Sequence, residues 1–304
     1  MTHFKYLRRN FVRATLIALC AFAADAETLD IDGRSVAVRM EGNGPPVIFV
    51  HGALSDLRAW DAVIDPLARS MPDHLLITYT QRHFGAGEGP LGKPGDFTRE
   101  THVADLIRLA ETVEGETPAT VVTWSYGGEI GLHAIRRRPD LFRAAIHYEP
   151  ILFPLLKEIP GGERARMEKV RTMFAPAAAI ARKGDLEGAA MRFMEGAFAI
   201  EAGTASDAPA PWPKIWRDNS RTIPAYGSMV PLSVECADLA DITIPTLVIQ
   251  GSNTHVDTAM MSDQVTACLA NATTIRIGGA GHGIPMRNPQ RMAEIVAGFL
   301  SVLD

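Results

Sequence analysis

The chain has 304 residues, of which 47% are hydrophobic, 21% charged and 7% aromatic, and its formal net charge at pH 7 is −5. This composition is typical of a globular protein and excludes a disordered chain, a collagen-like repeat and a coiled coil. The excess of acidic side chains argues against nucleic acid or an anionic membrane surface as a partner. A chain of this length can form one large α/β domain.

The first 26 residues have the pattern of a secretory signal peptide. Basic side chains lie within residues 1–13, an apolar run covers 14–24, and the run ends in small residues up to Ala26. The segment 8–13, Arg-Arg-Asn-Phe-Val-Arg, resembles the twin-arginine export motif. We expect cleavage after Ala26 and a periplasmic or secreted product without stable membrane insertion. An amphipathic anchor that stays attached is the alternative.

Cys236 and Cys268 remain after such a cleavage. Two cysteines can pair in an oxidising compartment. The sequence does not bring them together, so we favour free buried thiols and keep a disulfide as the alternative. The sequence has no Cys-x-x-Cys motif or histidine-rich cluster, and we therefore expect no metal.

Apolar runs and helical spacings alternate along the chain after an opening hairpin around Asp32-Gly33. The predicted strands are 28–32, 35–40, 47–50, 75–79, 120–123, 144–148, 246–249 and 273–277. The predicted helices are 60–70, 98–114, 126–138, 259–269 and 289–300. This alternation is typical of a mostly parallel sheet with helices on both faces.

Residues 151–240 interrupt the alternation. They contain helical patterns near 163–174 and 186–199 and a stiff, loop-like segment, Ala-Pro-Ala-Pro-Trp-Pro, at 208–213. So long an insertion between two strands predicts a helical cap, and a peripheral helical subdomain without a role in binding is the alternative.

The segment 121–128, Val-Val-Thr-Trp-Ser-Tyr-Gly-Gly, carries the strongest chemical signal. An apolar strand leads through Ser-x-Gly into a helix, as in the nucleophile elbow Gly-x-Ser-x-Gly, with Thr123 at the first glycine position. Such a turn lifts Ser125 Oγ above the sheet edge. There the N–H of Tyr126, at the helix N-terminus, can stabilise a developing oxyanion.

Two glycine-containing loops accompany this elbow. The first follows a buried strand at 49–54, Phe-Val-His-Gly-Ala-Leu, where the N–H of Ala53 is the second oxyanion donor and His51 is expected to hold the loop by hydrogen bonds. The second, 278–283, is Gly-Gly-Ala-Gly-His-Gly and can bring His282 over the sheet edge. A serine hydroxyl needs a base to take its proton, and histidine suits that task near neutral pH.

With these motifs the chain resembles the α/β-hydrolase superfamily over residues 28–304. The resemblance implies a Ser–acid–His triad and an eight-stranded, mostly parallel sheet with a helical cap inserted after strand six, all within a domain spanning 27–304. Epoxide hydrolases and haloalkane dehalogenases of this fold place an aspartate at the elbow, so Ser125 argues against both activities.

The acid departs from the family pattern, which is often Gly-x-x-Asp after the seventh strand. Gly251 is followed here by Thr254 at that position. Glu149 ends the preceding strand, where some members of the superfamily carry their acid, and Asp257 lies a little further along the chain. We predict Glu149 as the acid, with Asp257 as the alternative. A cap-anchoring role for Glu149, a helix N-cap role for Asp257 and the absence of any functional acid stay open.

The sequence thus predicts a serine hydrolase that needs no cofactor and cleaves a carboxylic ester or lactone through an acyl-enzyme. A C–C bond hydrolase, a cofactor-free haloperoxidase and a non-catalytic ligand receptor are the alternatives, because fold does not determine function. The substrate is expected to be a small, ester-like molecule in an apolar pocket formed by the cap residues Phe153, Met173, Phe193, Met194, Phe198, Trp212 and Trp216.

Overall fold

The computed structural model describes residues 27–86, 91, 96–113, 115 and 117–303, so the predicted signal peptide lies outside the described residues. Its centre is an eight-stranded sheet in the order β1-β2-β4-β3-β5-β6-β7-β8. The strands are β1 (Glu27–Ile31), β2 (Arg34–Glu41), β3 (Pro46–Val50), β4 (Leu75–Tyr79), β5 (Ala119–Trp124), β6 (Phe142–Tyr148), β7 (Thr246–Gly251) and β8 (Ala272–Ile277). All eight were predicted, and each bound lies within two residues of its prediction.

Pairing in the sheet is antiparallel for β1 with β2 and for β2 with β4, and parallel for the remaining strands. Successive side chains of a strand point to opposite faces. Phe49 accordingly packs in the apolar cluster on one face, and its neighbours Ile48 and Val50 pack in the cluster on the other. Burial on both faces explains the uninterrupted apolar run of β3. The predicted α/β-hydrolase fold is confirmed.

The sheet is flanked by helices close to those predicted. These are α1 (Asp61–Ser70), α2 (Arg99–Thr112), α3 (Tyr126–Arg137), α10 (Val256–Cys268), α11 (Ile284–Arg287) and α12 (Pro289–Leu303). Helix α10 begins three residues earlier than predicted, with His255 as its N-cap residue. The short helix α11 was not predicted. No helix of the described residues is long and apolar enough to cross a bilayer.

Helices also fill the chain between β6 and β7, which we call the cap. They are α4 (Gly162–Lys169), α5 (Ala175–Ala181), α6 (Leu186–Phe198), α7 (Trp212–Asp218), α8 (Ile223–Ser228) and α9 (Cys236–Ala240). A π-helical turn over Val170–Phe174 joins α4 to α5. The loop predicted over residues 208–213 is confirmed for 208–211 and was wrong for the last two residues, since α7 begins at Trp212. A proline in the first turn of a helix loses no intrahelical hydrogen bond, so Pro213 does not prevent it.

A disulfide joins the cap to the sheet domain. Cys236 at the start of α9 and Cys268 at the end of α10 have Cα atoms 5.0 Å apart and are bonded. The favoured interpretation of these cysteines as free thiols was therefore wrong, and the alternative, a disulfide, is confirmed. Their approach depends on how α9 packs on α10, which the sequence pattern does not reveal.

Replacing both cysteines with serine is expected to lower the free energy of unfolding by about 3 kcal/mol, because the bond closes a loop with a sequence separation of 32 residues. Denaturant unfolding of oxidised and reduced protein measures the effect. Reductant should destabilise the wild type and leave the Cys236→Ser/Cys268→Ser variant unchanged. Equal stability of the wild type and the variant, each with and without reductant, would show that the disulfide does not stabilise the fold.

Candidate active site

The turn between β5 and α3 is strained at Ser125, whose φ is 57° and ψ −118°. Few residues other than glycine adopt a positive φ, and such strain persists only where surrounding contacts impose it. The N–H of Ser125 donates to the carbonyl of Tyr148 (3.0 Å), and the Ser125 carbonyl accepts from the N–H of Ile151 (3.1 Å). A Cβ on Gly127 would lie 2.6 Å from the carbonyl oxygen of Val50, so this position requires glycine. The elbow predicted from the sequence is therefore present.

Thr123 occupies the first glycine position of the elbow motif without disturbing the turn. Its Oγ1 lies 2.7 Å from Nδ1 of His147 on β6, which gives the buried hydroxyl a partner. Its methyl group lies against Gly131 of α3, where a Cβ would come within 2.6 Å of Thr123 Cγ2. A glycine on the facing helix thus makes the room that the motif ordinarily provides on the strand.

Gly131→Ala is expected to lower the free energy of unfolding by about 1–3 kcal/mol through overpacking against Thr123. Thr123→Ser removes the methyl group and keeps the hydroxyl, so the double variant should lose less stability than the two single variants together. Gly298→Ala in α12 is the matched control. Nothing lies within 4 Å of a Cβ at that position, and helix propensity should make the change neutral or stabilising. Additive losses in the double variant would contradict the proposed contact.

Ser125, His282 and Glu149 form a continuous hydrogen-bonded chain. His282 Nε2 lies 2.9 Å from Ser125 Oγ, and His282 Nδ1 lies 2.5 Å from Glu149 Oε2. The Glu149 side chain is fully buried, and His282 is 8% exposed. The structure thus brings together the three side chains named first from the sequence, although they come from β5, β6 and the loop after β8.

The loop that carries His282 is held by the ends of two central strands. The indole Nε1–H of Trp124 donates to the carbonyl of His282 (2.9 Å), and the Tyr148 hydroxyl donates to the carbonyl of Gly281. The Tyr148 ring also stacks on the imidazole, with centroids 6.3 Å apart. These contacts place the imidazole independently of its bond to the carboxylate.

Both carboxylate oxygens of Glu149 have donors besides His282. Oε1 accepts from the N–H of Gly251 (2.8 Å), and Oε2 accepts from the hydroxyl of Thr254 (2.8 Å). Thr254 is the residue at the usual aspartate position. It therefore donates a hydrogen bond to the carboxylate that takes the place of that aspartate, a role that the sequence reasoning missed.

Asp257, the alternative acid, lies in the first turn of α10, and its N-cap interpretation was wrong because His255 is the N-cap residue. Its Oδ2 is buried without a hydrogen-bond partner among the described residues and lies 3.9 Å from Lys169 Nζ. The structure thus places Glu149, and not Asp257, against the imidazole of His282.

Ala53 and Tyr126, the two predicted oxyanion donors, line the cavity that also exposes Ser125 and His282. A Cβ on Gly52 would lie 3.2 Å from Ser125 Cβ, so the loop after β3 runs directly beside the serine. Tyr126 is the first residue of α3, and its N–H is therefore free of an intrahelical partner. Both backbone segments flank Ser125 as the elbow motif requires.

His51 supports this loop in the way predicted for it. Its Nδ1–H donates to the Gly52 carbonyl (2.8 Å), and its Nε2 accepts from the N–H of Gln81 (3.1 Å). Burial lowers the pKa of His51 to about 4, so the imidazole is neutral at pH 7. The neutral ring, with both nitrogens hydrogen-bonded, holds the loop after β3 against the chain at Gln81.

Cap side chains form most of the cavity wall. The seven expected there all line it: Phe153, Met173, Phe193, Met194, Phe198, Trp212 and Trp216. Three charged side chains, Arg99, Glu129 and Lys169, also line it and were not predicted. They lie on α2, α3 and α4, and no local motif links them in the sequence.

The alpha/beta hydrolase family model matches residues 47–295. The chain belongs to the alpha/beta hydrolase family. It is 26% identical over 299 residues to polyketide synthase ThaQ of Burkholderia thailandensis, a match that covers 91% of this chain and 13% of the synthase. It is 24% identical to a haloalkane dehalogenase of Bradyrhizobium diazoefficiens, covering 90% of this chain and 93% of the dehalogenase.

Among solved structures, an esterase from Exiguobacterium antarcticum superposes with a TM-score of 0.69 at 18% identity, covering 91% of this chain and 99% of the esterase. At that identity the likeness shows the fold alone. These similar proteins carry different activities, so they do not assign a substrate class to this hydrolase.

Proposed function

We propose that this hydrolase cleaves a carboxylic ester or lactone through an acyl-enzyme formed on Ser125. The observation that carries the proposal is the hydrogen-bonded chain from Ser125 Oγ through His282 to Glu149. Nucleophile and base lie within hydrogen-bond reach, and a third group orients the base, which is the arrangement that activates a serine hydroxyl.

Glu149 determines which nitrogen of His282 carries the proton. Its carboxylate accepts from Nδ1–H, which leaves the Nε2 lone pair directed at Ser125 Oγ. As Oγ attacks the substrate carbonyl carbon, Nε2 takes the hydroxyl proton and the imidazole becomes a cation. The buried carboxylate stabilises that cation, and its own donors, Gly251 and Thr254, keep it in place.

Attack moves the carbonyl electron pair onto oxygen, and the N–H groups of Ala53 and Tyr126 stabilise the oxyanion. When the intermediate collapses, His282 returns the proton to the leaving alcohol and the acyl group stays on Ser125. A water molecule, deprotonated by His282, then attacks the acyl carbon and releases the carboxylic acid.

Haloalkane dehalogenation is not proposed, despite the dehalogenase relative. Displacement of a halide in that branch of the fold uses an aspartate at the elbow, and this chain has Ser125 there. The hydroxyl beside His282 suits acyl transfer instead.

A fluorophosphonate probe tests the activated nucleophile. We expect covalent labelling of the wild type and of Ser55→Ala, a matched control because Ser55 is a second serine in the same cavity. Ser125→Ala should not be labelled. Folded wild-type protein that resists the probe would instead favour a non-catalytic receptor. Turnover of p-nitrophenyl esters, compared with a vinylogous diketone, then separates an esterase from a C–C bond hydrolase.

We also propose that the hydrolase is exported and acts in the periplasm or outside the cell on a small, ester-like substrate. The signal-peptide pattern of residues 1–26 and the Cys236–Cys268 disulfide support this location, since disulfides persist in oxidising compartments. N-terminal sequencing of protein from the periplasmic fraction should begin at Glu27. A periplasmic product that still begins at Met1 would contradict cleavage.

A further inference from the structure

The cavity beside Ser125 has an apolar wall and an uneven set of charges. Two cationic side chains, Arg99 and Lys169, line it against one carboxylate, that of Glu129. All three are buried, with exposed fractions of 8%, 7% and 3%. Burying a charge costs free energy unless the charge is paired and hydrogen-bonded, so both cations are expected to have such partners.

Within the described residues, Arg99 has hydrogen-bond partners for only some of its N–H donors. It is the first residue of α2, and its Nε donates to Glu129 Oε2 at 2.5 Å. Its Nη1 is buried and has no hydrogen-bond partner among the described residues. A guanidinium presents five N–H donors in a planar fork, and leaving buried donors unused costs free energy.

Both carboxylate oxygens of Glu129 already accept hydrogen bonds, and neither accepts one from Arg99 Nη1. Its Oε2 accepts from Arg99, and its Oε1 accepts from the N–H of Leu232 at 3.1 Å. The carboxylate therefore fixes the orientation of the guanidinium through Nε. Glu129 lies four residues after Ser125 at the start of α3, so the ion pair is anchored on the helix that begins at the nucleophile.

We propose that Arg99 binds a carboxylate of the substrate and that the enzyme prefers esters carrying a free carboxylate over neutral esters. This inference rests on the proposed ester hydrolysis and adds the substrate class to it. A carboxylate supplies two acceptor oxygens in a geometry that matches a guanidinium fork. The aromatic and aliphatic cap wall holds the chain between the reacting ester and the charged end.

Lys169 is the second cation that lines the cavity, and its partner differs from that of Arg99. Its Nζ lies 3.9 Å from Asp257 Oδ2, beyond hydrogen-bond distance. Its charge is thus paired with a buried carboxylate, whereas Arg99 is the cavity-lining cation that has an unused hydrogen-bond donor among the described residues.

Matched pairs of substrates test the preference. The probes are monomethyl esters of linear dicarboxylic acids, from succinate to suberate, and the methyl esters of equal length in which a carboxamide replaces the carboxylate. The pairs differ in charge and little in shape. For the favoured length, we expect kcat/KM for the carboxylate to exceed that for the amide by about 10- to 100-fold, the range of a charge-assisted hydrogen bond. Equal values at every length would overturn the proposal.

Arg99→Gln/Glu129→Gln tests the residue assignment. The double variant removes both charges and can keep a hydrogen bond between the two side chains, so it leaves no lone buried carboxylate. The ratio of carboxylate to amide should fall to about one, the value expected when the charged donor of Arg99 is removed. Lys169→Met/Asp257→Asn is the matched control, because it removes the second cation together with its carboxylate. It should change the ratio by no more than about threefold, as for a charge without a direct hydrogen bond. Loss of the preference in this control, with the preference kept in Arg99→Gln/Glu129→Gln, would contradict the assignment to Arg99.

Binding to catalytically inert protein separates this inference from the proposed hydrolysis. Calorimetry with Ser125→Ala should show tighter binding of the carboxylate ester than of the amide ester. That difference should vanish in Ser125→Ala/Arg99→Gln/Glu129→Gln. A carboxylate preference in binding without hydrolysis by the wild type would support the Arg99 site and refute the ester hydrolase. Hydrolysis of both probes without any preference in binding would do the reverse.

Discussion

Ser125→Ala is expected to lower kcat for ester hydrolysis by about four to six orders of magnitude, the loss seen when a triad member is removed. The hydroxyl is the group that forms the acyl-enzyme, and its contact within the site is with His282 Nε2 at 2.9 Å. Alanine has no hydroxyl, so the variant has no nucleophile at that position. Single-turnover and steady-state kinetics on the best ester measure the loss.

Folding should survive this substitution. The turn at residue 125 is held by backbone hydrogen bonds to Tyr148 and Ile151, which alanine retains. The denaturation midpoint should therefore remain close to that of the wild type, and Ser55→Ala serves as the control for loss of a cavity hydroxyl. A kcat within about tenfold of the parent, equivalent to about 1.4 kcal/mol of barrier, would exclude Ser125 as the nucleophile.

Glu149→Gln is expected to lower kcat by about two to four orders of magnitude by stabilising the wrong imidazole tautomer. The N–H of Gly251 donates to Oε1, so a glutamine there is favoured to keep its carbonyl oxygen on Gly251. Its amide NH2 then faces His282 Nδ1 and donates to it. The proton consequently moves to Nε2, where it faces Ser125 Oγ and blocks general-base action.

Asp257→Asn is the matched control for this prediction and should cost little catalysis, because Asp257 lies beside Lys169 rather than His282. Thermal unfolding must show both variants folded, since Glu149 is fully buried and its loss can also destabilise the cap. A crippled Asp257→Asn with a near-normal Glu149→Gln would move the acid to α10. Near-normal kinetics in both would indicate a Ser–His dyad.

The nucleophile elbow was readable from the sequence because its determinants are local. An apolar strand, Ser-x-Gly and a helix follow one another over residues 121–128, and the requirement for glycine at 127 comes from the turn itself. The tolerance of Thr123 was not readable, because it depends on Gly131 and on His147 of a neighbouring strand. A one-dimensional motif does not include the residues that face it across a sheet.

The identity of the triad acid also depended partly on the sequence and partly on the tertiary structure. The sequence offered Glu149 and Asp257, because both come after strands that end at the edge where His282 was expected, and it left open the absence of any functional acid. Only the tertiary structure placed the Glu149 carboxylate 2.5 Å from the imidazole and turned Thr254 into its donor. Those distances depend on the register of β6 against β7 and on the loop after β7, which are non-local.

By itself the sequence predicted the eight strands and the helices that flank them, because periodicity acts over a few neighbouring residues. Its motifs named Ser125 and His282 as candidates, and through them the chain resembled a family whose fold it shares. Tertiary packing decided what depends on residues far apart in the chain. It paired Cys236 with Cys268 and brought Arg99 and Lys169 to one cavity from α2 and α4. The unused donor of Arg99 exists only in that packing, because it depends on which side chains face the guanidinium in the folded chain.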